Sequence, residues 1–267
     1  MENKNKLKKE IIAYITEFFR EFPEKEKVPN VWNTPIVGFA DAMDPYIQNL
    51  PKLISPSHGL PQQVMEEAKT VLVYYAPFLK EVSASGRDAT SYSAPYLEQA
   101  YQKTDVLFEK LNKELKEKLK EYGYRGVTDS EMNKYDEQKL ISNWSFRHFA
   151  YAAGIGTFGL NNMLITRKGC CGRYNIMITN LDVEADRHRE EEYCLYKKNG
   201  SCGVCVKNCP QNALTFEGFD RSKCYAVLQK NARMEPRIYD EKGTVIKGEI
   251  CGKCVSKSPC SFWNLKS

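Results

Sequence analysis

The sequence predicts an α/β chain that ends in a separate cysteine-rich module. The run Thr70–Ala76 is continuously β-branched and aromatic, which is typical of a buried strand. Pro95 begins a long predicted helix, for which Gly123 stands where a C-terminal cap belongs. Eight of the ten cysteines lie between Cys194 and Cys260. We therefore expect a packed α/β core in the first two thirds of the chain and a module organised by thiols in the last third.

Other elements of the core follow from periodicity. Leu7–Phe22 is predicted to be a helix because its apolar residues recur at helical spacing, and Pro23 is expected to end it. Short strands are predicted at Pro35–Ala40 and Tyr174–Leu181. The polar stretch Lys80–Tyr92 is expected to be a mobile loop with a turn at Gly86.

Composition sets few limits on function. The 39 basic residues exceed the 34 acidic ones by only five, too small an excess to indicate nucleic-acid binding, although it could help to dock an acidic electron donor. The Lys-rich N-terminus lacks the continuous apolar run of a signal peptide, and no segment is long enough to span a membrane. We expect a soluble, cytoplasmic protein, where thiols stay reduced.

The cysteines carry the strongest motif. The centre reads Cys202-Gly-Val-Cys205-Val-Lys-Asn-Cys209-Pro210, the second half of a ferredoxin-type run. Eight thiolates suit two 4Fe-4S clusters. The predicted ligands are Cys194, Cys202, Cys205, Cys209, Cys224, Cys251, Cys254 and Cys260.

A crossed assignment divides these ligands, because the Cys-Pro cysteine of such a run serves the other cluster. One set comprises Cys202 and Cys205 with Cys194 and Cys260, and the other comprises Cys209, Cys224, Cys251 and Cys254. Asn199 occupies the position of a standard first cysteine, so Cys194 must reach in from a longer loop. Structural zinc is the main alternative, since it also uses paired cysteines. Disulfides fit a long chain without a secretion signal less well.

A second motif is Gly154-Ile-Gly156-Thr-Phe158-Gly159, which follows a predicted helix. A dinucleotide fingerprint needs a strand before it and a helix after it, so we reject that function here. Glycines also allow a close approach of the backbone, either to a flat ligand or to a neighbouring strand. The adjacent Cys170 and Cys171 cannot easily serve one cluster and are expected to be small buried thiols, with a cofactor-facing thiol as the alternative.

Together these stretches resemble the epoxyqueuosine reductase family, which is also similar to the reductive dehalogenases. The resemblance is carried by Ala153–Ile165, by Cys202–Pro210 with Ala213, by Cys224-Tyr225 and by Cys251-Gly-Lys-Cys254. It implies a nitroreductase-like, cobalamin-binding α/β domain over residues 1–185 and a ferredoxin-like double 4Fe-4S domain over residues 186–267.

The resemblance also implies a mechanism. Electrons would pass through two clusters to a bound corrinoid and onward to an unidentified substrate, with a ferredoxin or flavodoxin as electron donor. Cobalamin is the implied cofactor and flavin the alternative, because no Asp-x-His-x-x-Gly cobalamin signature is present. The predicted cofactor-binding residues are Gly154, Gly156, Phe158, Gly159, Asn161 and Asn162.

Three departures from the family bear on the substrate. The helical-repeat region associated with tRNA binding does not follow Ser267, the acid upstream of the glycine loop falls at or near Leu140, and the spacings of Cys194 and Cys260 differ. Asp136, His148 and Tyr151 are substitutes for that acid. We expect a compact relative with a small-molecule or corrinoid substrate. Epoxyqueuosine reduction on tRNA is the alternative, disfavoured because no basic patch interleaved with aromatic residues is evident, and a non-catalytic electron-transfer or cobalamin-handling protein is the third.

Overall fold

The computed structural model describes residues 2–88, 94–233, 238–239, 245–246 and 250–262. The helices are α1 (Glu2–Glu26), α2 (Pro45–Gln48), α3 (Leu50–Leu53), α4 (Pro61–Val64), α5 (Lys80–Asp88), α6 (Pro95–Glu121), α7 (Asp129–Met132), α8 (Phe146–Ala152), α9 (Leu195–Asn199), α10 (Val204–Lys207), α11 (Arg221–Ala232) and α12 (Lys253–Ser256). The strands are β1 (Ile36–Asp41), β2 (Thr70–Pro77), β3 (Gly126–Thr128), β4 (Tyr135–Asp136), β5 (Ile141–Ser142), β6 (Gly156–Phe158), β7 (Leu164–Thr166), β8 (Gly172–Thr179), β9 (Ile238–Tyr239) and β10 (Val245–Ile246).

The chain forms two compact units, each assembled from three segments. Unit 1 comprises Met1–Ala76, Val106–Gly156 and Tyr174–Glu190, and unit 2 comprises Pro77–Asp105, Thr157–Arg173 and Glu191–Ser267. The cysteine-rich stretch therefore folds together with segments that come from the first two thirds of the sequence. The division into functional domains at residue 185 stays a prediction.

A four-stranded sheet lies at the centre of unit 1, in the order β1-β2-β8-β3. Strands β1 and β2 are antiparallel and pair Ile36 with Tyr75, and β3 runs antiparallel to β8. Every residue of β2 is buried, which confirms the predicted strand. The strands predicted near Pro35–Ala40 and Tyr174–Leu181 are also confirmed, as β1 and β8.

Two long helices belong largely to this core. The leucines at positions 107, 111, 115 and 119 of α6 are fully buried, and Gly123 follows the helix with a φ of 80°. Helix α1 buries Ile11 and Ile15 but continues to Glu26, so the prediction that Pro23 ends it was wrong. Proline removes one backbone donor, and in a last turn that loss is small enough for the turn to close.

The prediction of a loop over Lys80–Tyr92 was wrong for its described part. Lys80–Asp88 is helix α5 of unit 2, and residues 89–92 lie outside the described residues. Val82 and Ser83 are fully buried, and Gly86 packs directly against the Ser256 side chain. Packing against α12 therefore imposes a helix on a sequence whose polarity suggested a loop. No helix in the described part of the chain is both long enough and apolar enough to cross a membrane.

Candidate functional site

Four cysteines line one recess in unit 2. The cysteines of this recess are Cys194, Cys202, Cys205 and Cys260, the four residues assigned by sequence to one cluster. Cys194 precedes α9, Cys205 lies on α10 and Cys260 follows α12. Burial raises the pKa of Cys205 to about 11, and the neighbouring thiols of Cys260, Cys194 and Cys202 contribute to the rise. We call these four residues the first thiol group.

The other four cysteines are also mutual neighbours. Burial is the main cause that raises the pKa of Cys254 strongly. The neighbouring thiols of Cys251, Cys224, Cys205 and Cys209 raise that pKa further. Cys224 lies on α11 and Cys254 on α12. The Cys209 sulfur accepts backbone hydrogen bonds from Ala213 at 3.2 Å and Leu214 at 3.4 Å. We call Cys209, Cys224, Cys251 and Cys254 the second thiol group.

The raised pKa values of Cys205, Cys224, Cys251 and Cys254 suit a metal cofactor. Thiols crowded in a buried place are costly to ionise, whereas a bound metal deprotonates its coordinating thiols and offsets their charge. Among the described residues, no set of three or more His, Cys, Asp or Glu side chains is arranged to hold a single metal ion. An iron–sulfur cubane is wider than one ion, so its thiolates stand farther apart around a recess. Four thiols around one recess are the donor set that an iron–sulfur cluster uses.

Cys170 and Cys171 are both buried, as predicted. Burial raises the pKa of Cys171 to about 12. The Cys170 sulfur lies 3.8 Å from the Cys260 sulfur, and its hydrogen bond lowers the pKa of Cys260. Cys170 is thus a direct neighbour of the first thiol group, the kind of position named as the alternative for this pair of cysteines.

The glycine stretch serves the protein's own packing at three of its predicted cofactor positions. A Cβ at Gly159 would lie 2.7 Å from the side-chain oxygen of Asn161. Gly154 has a φ of 64°, and a Cβ there would collide with the Arg187 carbonyl oxygen. The Asn161 side chain is buried and donates to the Cys254 carbonyl oxygen at 2.9 Å. Asn162 is exposed, with a φ of 57°. At Gly154 the close approach is therefore to the Arg187 backbone, which lies outside the strands, whereas the expected roles were contact with a flat ligand or with a neighbouring strand.

The three acid candidates differ in their surroundings. Asp136 accepts backbone hydrogen bonds from Gln138 at 3.0 Å and Lys139 at 2.9 Å, and the bond from Lys139 is the main cause that lowers its pKa. The Asp136 side chain therefore stabilises the turn formed by the residues that follow it. His148 and Tyr151 lie three residues apart on α8, which places them on one helix face. Both rings lie against Tyr46, with ring centroids 6.3 and 4.9 Å away.

His188 and Asp44 adjoin this aromatic cluster and were not among the site residues predicted from the sequence. His188 Nε2 lies 2.9 Å from a carboxylate oxygen of Asp44, and its ring lies 5.2 Å from that of Tyr151. Burial, with smaller contributions from Tyr151 and Asp44, raises the pKa of Tyr46 to about 12. Asp44 also accepts from the Tyr46 backbone, so its visible signal was only that of a helix cap before Pro45.

The buried histidines of unit 1 predict a stability that depends on pH. Burial lowers the pKa of His148 from 6.5 to about 4, and also lowers that of His58. The unfolded chain therefore takes up these protons first as pH falls. We expect the free energy of unfolding to be fully retained above about pH 6.5 and to drop by roughly 1–3 kcal/mol towards pH 4. Urea titrations across this range should show a shallower fall for His148→Asn, and an unchanged slope would contradict the assignment.

Comparison with known proteins places this arrangement in context. No protein-family model matches the chain. An epoxyqueuosine reductase of Leadbetterella byssophila is 28% identical over 209 residues, which cover 76% of this chain and 61% of that protein. An epoxyqueuosine reductase of Lactococcus garvieae is 34% identical over 106 residues, covering 38% of this chain and 28% of that protein. The chain is a relative of the epoxyqueuosine reductases.

Solved structures agree with this relationship to the epoxyqueuosine reductases. A selenomethionine-labelled epoxyqueuosine reductase superposes with a TM-score of 0.54 at 20% identity, covering 96% of this chain and 66% of that one. A catabolic reductive dehalogenase gives a TM-score of 0.55 at 16% identity over 86% of this chain and 30% of that one. At these identities the likeness establishes a shared mixed α/β fold. The chain spans less than two thirds of each of these proteins.

Proposed function

We propose that this protein is an iron–sulfur oxidoreductase that passes electrons through two 4Fe-4S clusters to a bound corrinoid and onward to a substrate. The observation that carries the proposal is the division of eight cysteines into two spatial groups, one around a recess and one of mutual neighbours. That division follows the crossed ligation expected of a two-cluster ferredoxin. When bound, the clusters supply one-electron transfer and the corrinoid supplies the reductive chemistry.

The residues around the thiols have definable roles. The backbone N–H groups of Ala213 and Leu214 stabilise negative charge on the Cys209 sulfur, an interaction that tunes cluster potential in such proteins. The buried amide of Asn161 holds the glycine stretch to the carbonyl of Cys254 and so orients a ligand of the second thiol group. The leucines and isoleucine that line the recess keep water away from the first thiol group.

The corrinoid assignment draws its support from the relationship to the epoxyqueuosine reductases. Of the predicted positions, Gly156, Phe158 and Asn162 remain candidates for contact with the macrocycle, whereas Gly154, Gly159 and Asn161 are committed to protein contacts. For the proton donor, the geometry favours Tyr151 and His148 over Asp136, because they share a cluster with the His188–Asp44 pair. A cytoplasmic location and a soluble electron donor belong to the same proposal.

The second candidate function is epoxyqueuosine reduction on tRNA. Both curated relatives carry the name epoxyqueuosine reductase, and one solved epoxyqueuosine reductase holds an epoxyqueuosine-modified tRNA-Tyr stem loop. This function predicts salt-sensitive binding of the modified stem loop and its conversion by the reduced, cofactor-loaded protein. Reduction of a bound corrinoid without stem-loop binding would favour the first proposal.

The deciding experiment is anaerobic reconstitution with iron and sulfide, followed by a visible-spectrum titration with cobalamin. We expect about eight irons per chain and a shift of the corrinoid spectrum towards the base-off form. Eight irons with no corrinoid response, and a response to flavin, would refute the corrinoid assignment while retaining the clusters. Tight zinc without iron would refute the whole proposal.

A further inference from the structure

The net charge of the chain is concentrated on one stretch. Residues 194–233 contain seven Lys and Arg and two acidic residues, so their net charge of +5 equals that of the whole chain. The remainder of the chain is electrically balanced. All seven basic residues are exposed: Lys197, Lys198, Lys207, Arg221, Lys223, Lys230 and Arg233. The stretch that carries three of the four cysteines of the first thiol group, Cys194, Cys202 and Cys205, therefore has a strongly positive net charge.

Two exposed aromatic rings lie within this basic stretch. Phe216 is 45% exposed and Phe219 is 42% exposed, and no other phenylalanine in the described part of the chain is among its exposed large hydrophobic residues. The Phe216 ring rests on the backbone of Gly203, where a Cβ would lie 2.7 Å from the ring. It also lies 5.2 Å from the Tyr196 ring. Since Gly203 stands between Cys202 and Cys205, an exposed apolar ring covers the turn of the first thiol group.

We propose that this surface docks a small acidic electron-carrier protein with a reduced flavin. We name it the Phe216 face and define it by Phe216, Phe219, Lys197, Lys198, Lys207, Arg221 and Lys223. The inference rests on the proposed function and identifies where electrons enter. An anionic flavin hydroquinone gives up one electron and becomes the neutral semiquinone, and the first cluster gains that electron. No bond of this chain forms or breaks.

Charge and position together select the partner. An exposed basic stretch that also carries exposed apolar rings is complementary to an acidic protein surface, and the opposite charges speed the diffusional encounter. Electron transfer requires the carrier to come close to the cluster, and Phe216 lies on the backbone of that turn. Basic residues interleaved with aromatic rings also suit single-stranded RNA. RNA binding gains nothing from closeness to the thiols, so the position of Phe216 favours the carrier. The face corrects the expectation that no such basic, aromatic patch exists.

The test uses reconstituted protein and reduced flavodoxin. Stopped-flow measures the rate of electron transfer, and the anisotropy of labelled flavodoxin measures the binding affinity at equilibrium. We expect Lys198→Glu/Lys207→Glu to lower the second-order rate and the affinity at least about tenfold at low salt, with the difference shrinking as salt screens the charges. Phe216→Ser is expected to weaken binding about tenfold, because it removes the apolar centre. The control Lys9→Glu/Lys113→Glu makes the same charge change at exposed positions of α1 and α6 and should alter neither quantity more than about twofold.

Iron content and the extent of deazaflavin photoreduction separate the outcomes. A wild-type chain without iron–sulfur clusters would refute the proposed function itself. If the clusters load and photoreduce in every variant, yet flavodoxin binds and reacts equally well with all of them, the docking face is wrong and the proposed function stands. Binding of a tRNA stem loop that is lost in Lys198→Glu/Lys207→Glu, without any flavodoxin response, would also overturn the inference.

Discussion

Replacement of Cys209 by alanine is expected to lower the iron content from about eight to about four atoms per chain. Cys209 shares its surroundings with Cys224, Cys251 and Cys254, whereas the recess of the first thiol group is lined by four other cysteines. The variant should therefore lose the second cluster and keep the first. Iron and sulfide analysis together with electron paramagnetic resonance of the reduced protein would count the clusters that remain.

A buried cysteine outside both groups provides the control. Cys171 is 1% exposed and does not line the recess, so Cys171→Ala should retain about eight irons. Cys202→Ala should instead lose the first cluster, since Cys202 lines the recess. If Cys209→Ala and Cys202→Ala removed the same cluster, the crossed ligation would be refuted.

Replacement of Gly169 by alanine is expected to destabilise unit 2 by roughly 3 kcal/mol, because it combines backbone strain with a steric clash. Gly169 has a φ of 88°, and a Cβ there would lie 2.5 Å from the Ser261 carbonyl oxygen and 2.6 Å from the Phe262 backbone. The adjacent Cys170 N–H donates to the Cys260 carbonyl oxygen at 2.9 Å. Displacing this segment moves Cys260, so iron in the first thiol group should fall together with the urea midpoint.

Replacement of Gly200 by alanine is a control that introduces the backbone strain without the steric clash. Gly200 has a φ of 74° at the C-terminal cap of α9, and nothing lies within 4 Å of its virtual Cβ. Gly200→Ala should therefore cost only about 1 kcal/mol and leave the iron content unchanged. Equal losses of stability in the two variants would show that contact with residues 261–262 contributes nothing.

The sequence allowed prediction of those features that depend on local pattern. Strand β2 is continuously apolar, the leucines of α6 repeat every four residues, and both patterns were recognisable without tertiary information. The assignment of eight cysteines to two clusters rests on the motif at Cys202–Cys209 and stays a prediction. In contrast, α5 is polar and became a helix through burial of Val82 against another segment.

Some site residues could not be predicted from the sequence for the same reason, because their contacts depend on tertiary folding. His188 and Asp44 are 144 positions apart, and their pairing depends on how the chain folds between them. Cys170 reaches Cys260 across 90 positions in the same way. The charge of the Phe216 face could have been counted from the sequence, but the packing of its ring on Gly203 could not, because a loop conformation decides it.

The segmented construction of unit 2 has a consequence for the order of biogenesis. Cys194 and Cys260 line the same recess, and the Asn161 amide from an earlier segment binds Cys254. Residue 260 must therefore have left the ribosome before the four cysteines of the recess can come together. For the same reason, a fragment that begins at residue 186 would lack α5 and residues 157–173 of its own unit. The fold of unit 2 therefore depends on segments that lie upstream of its cysteine-rich stretch.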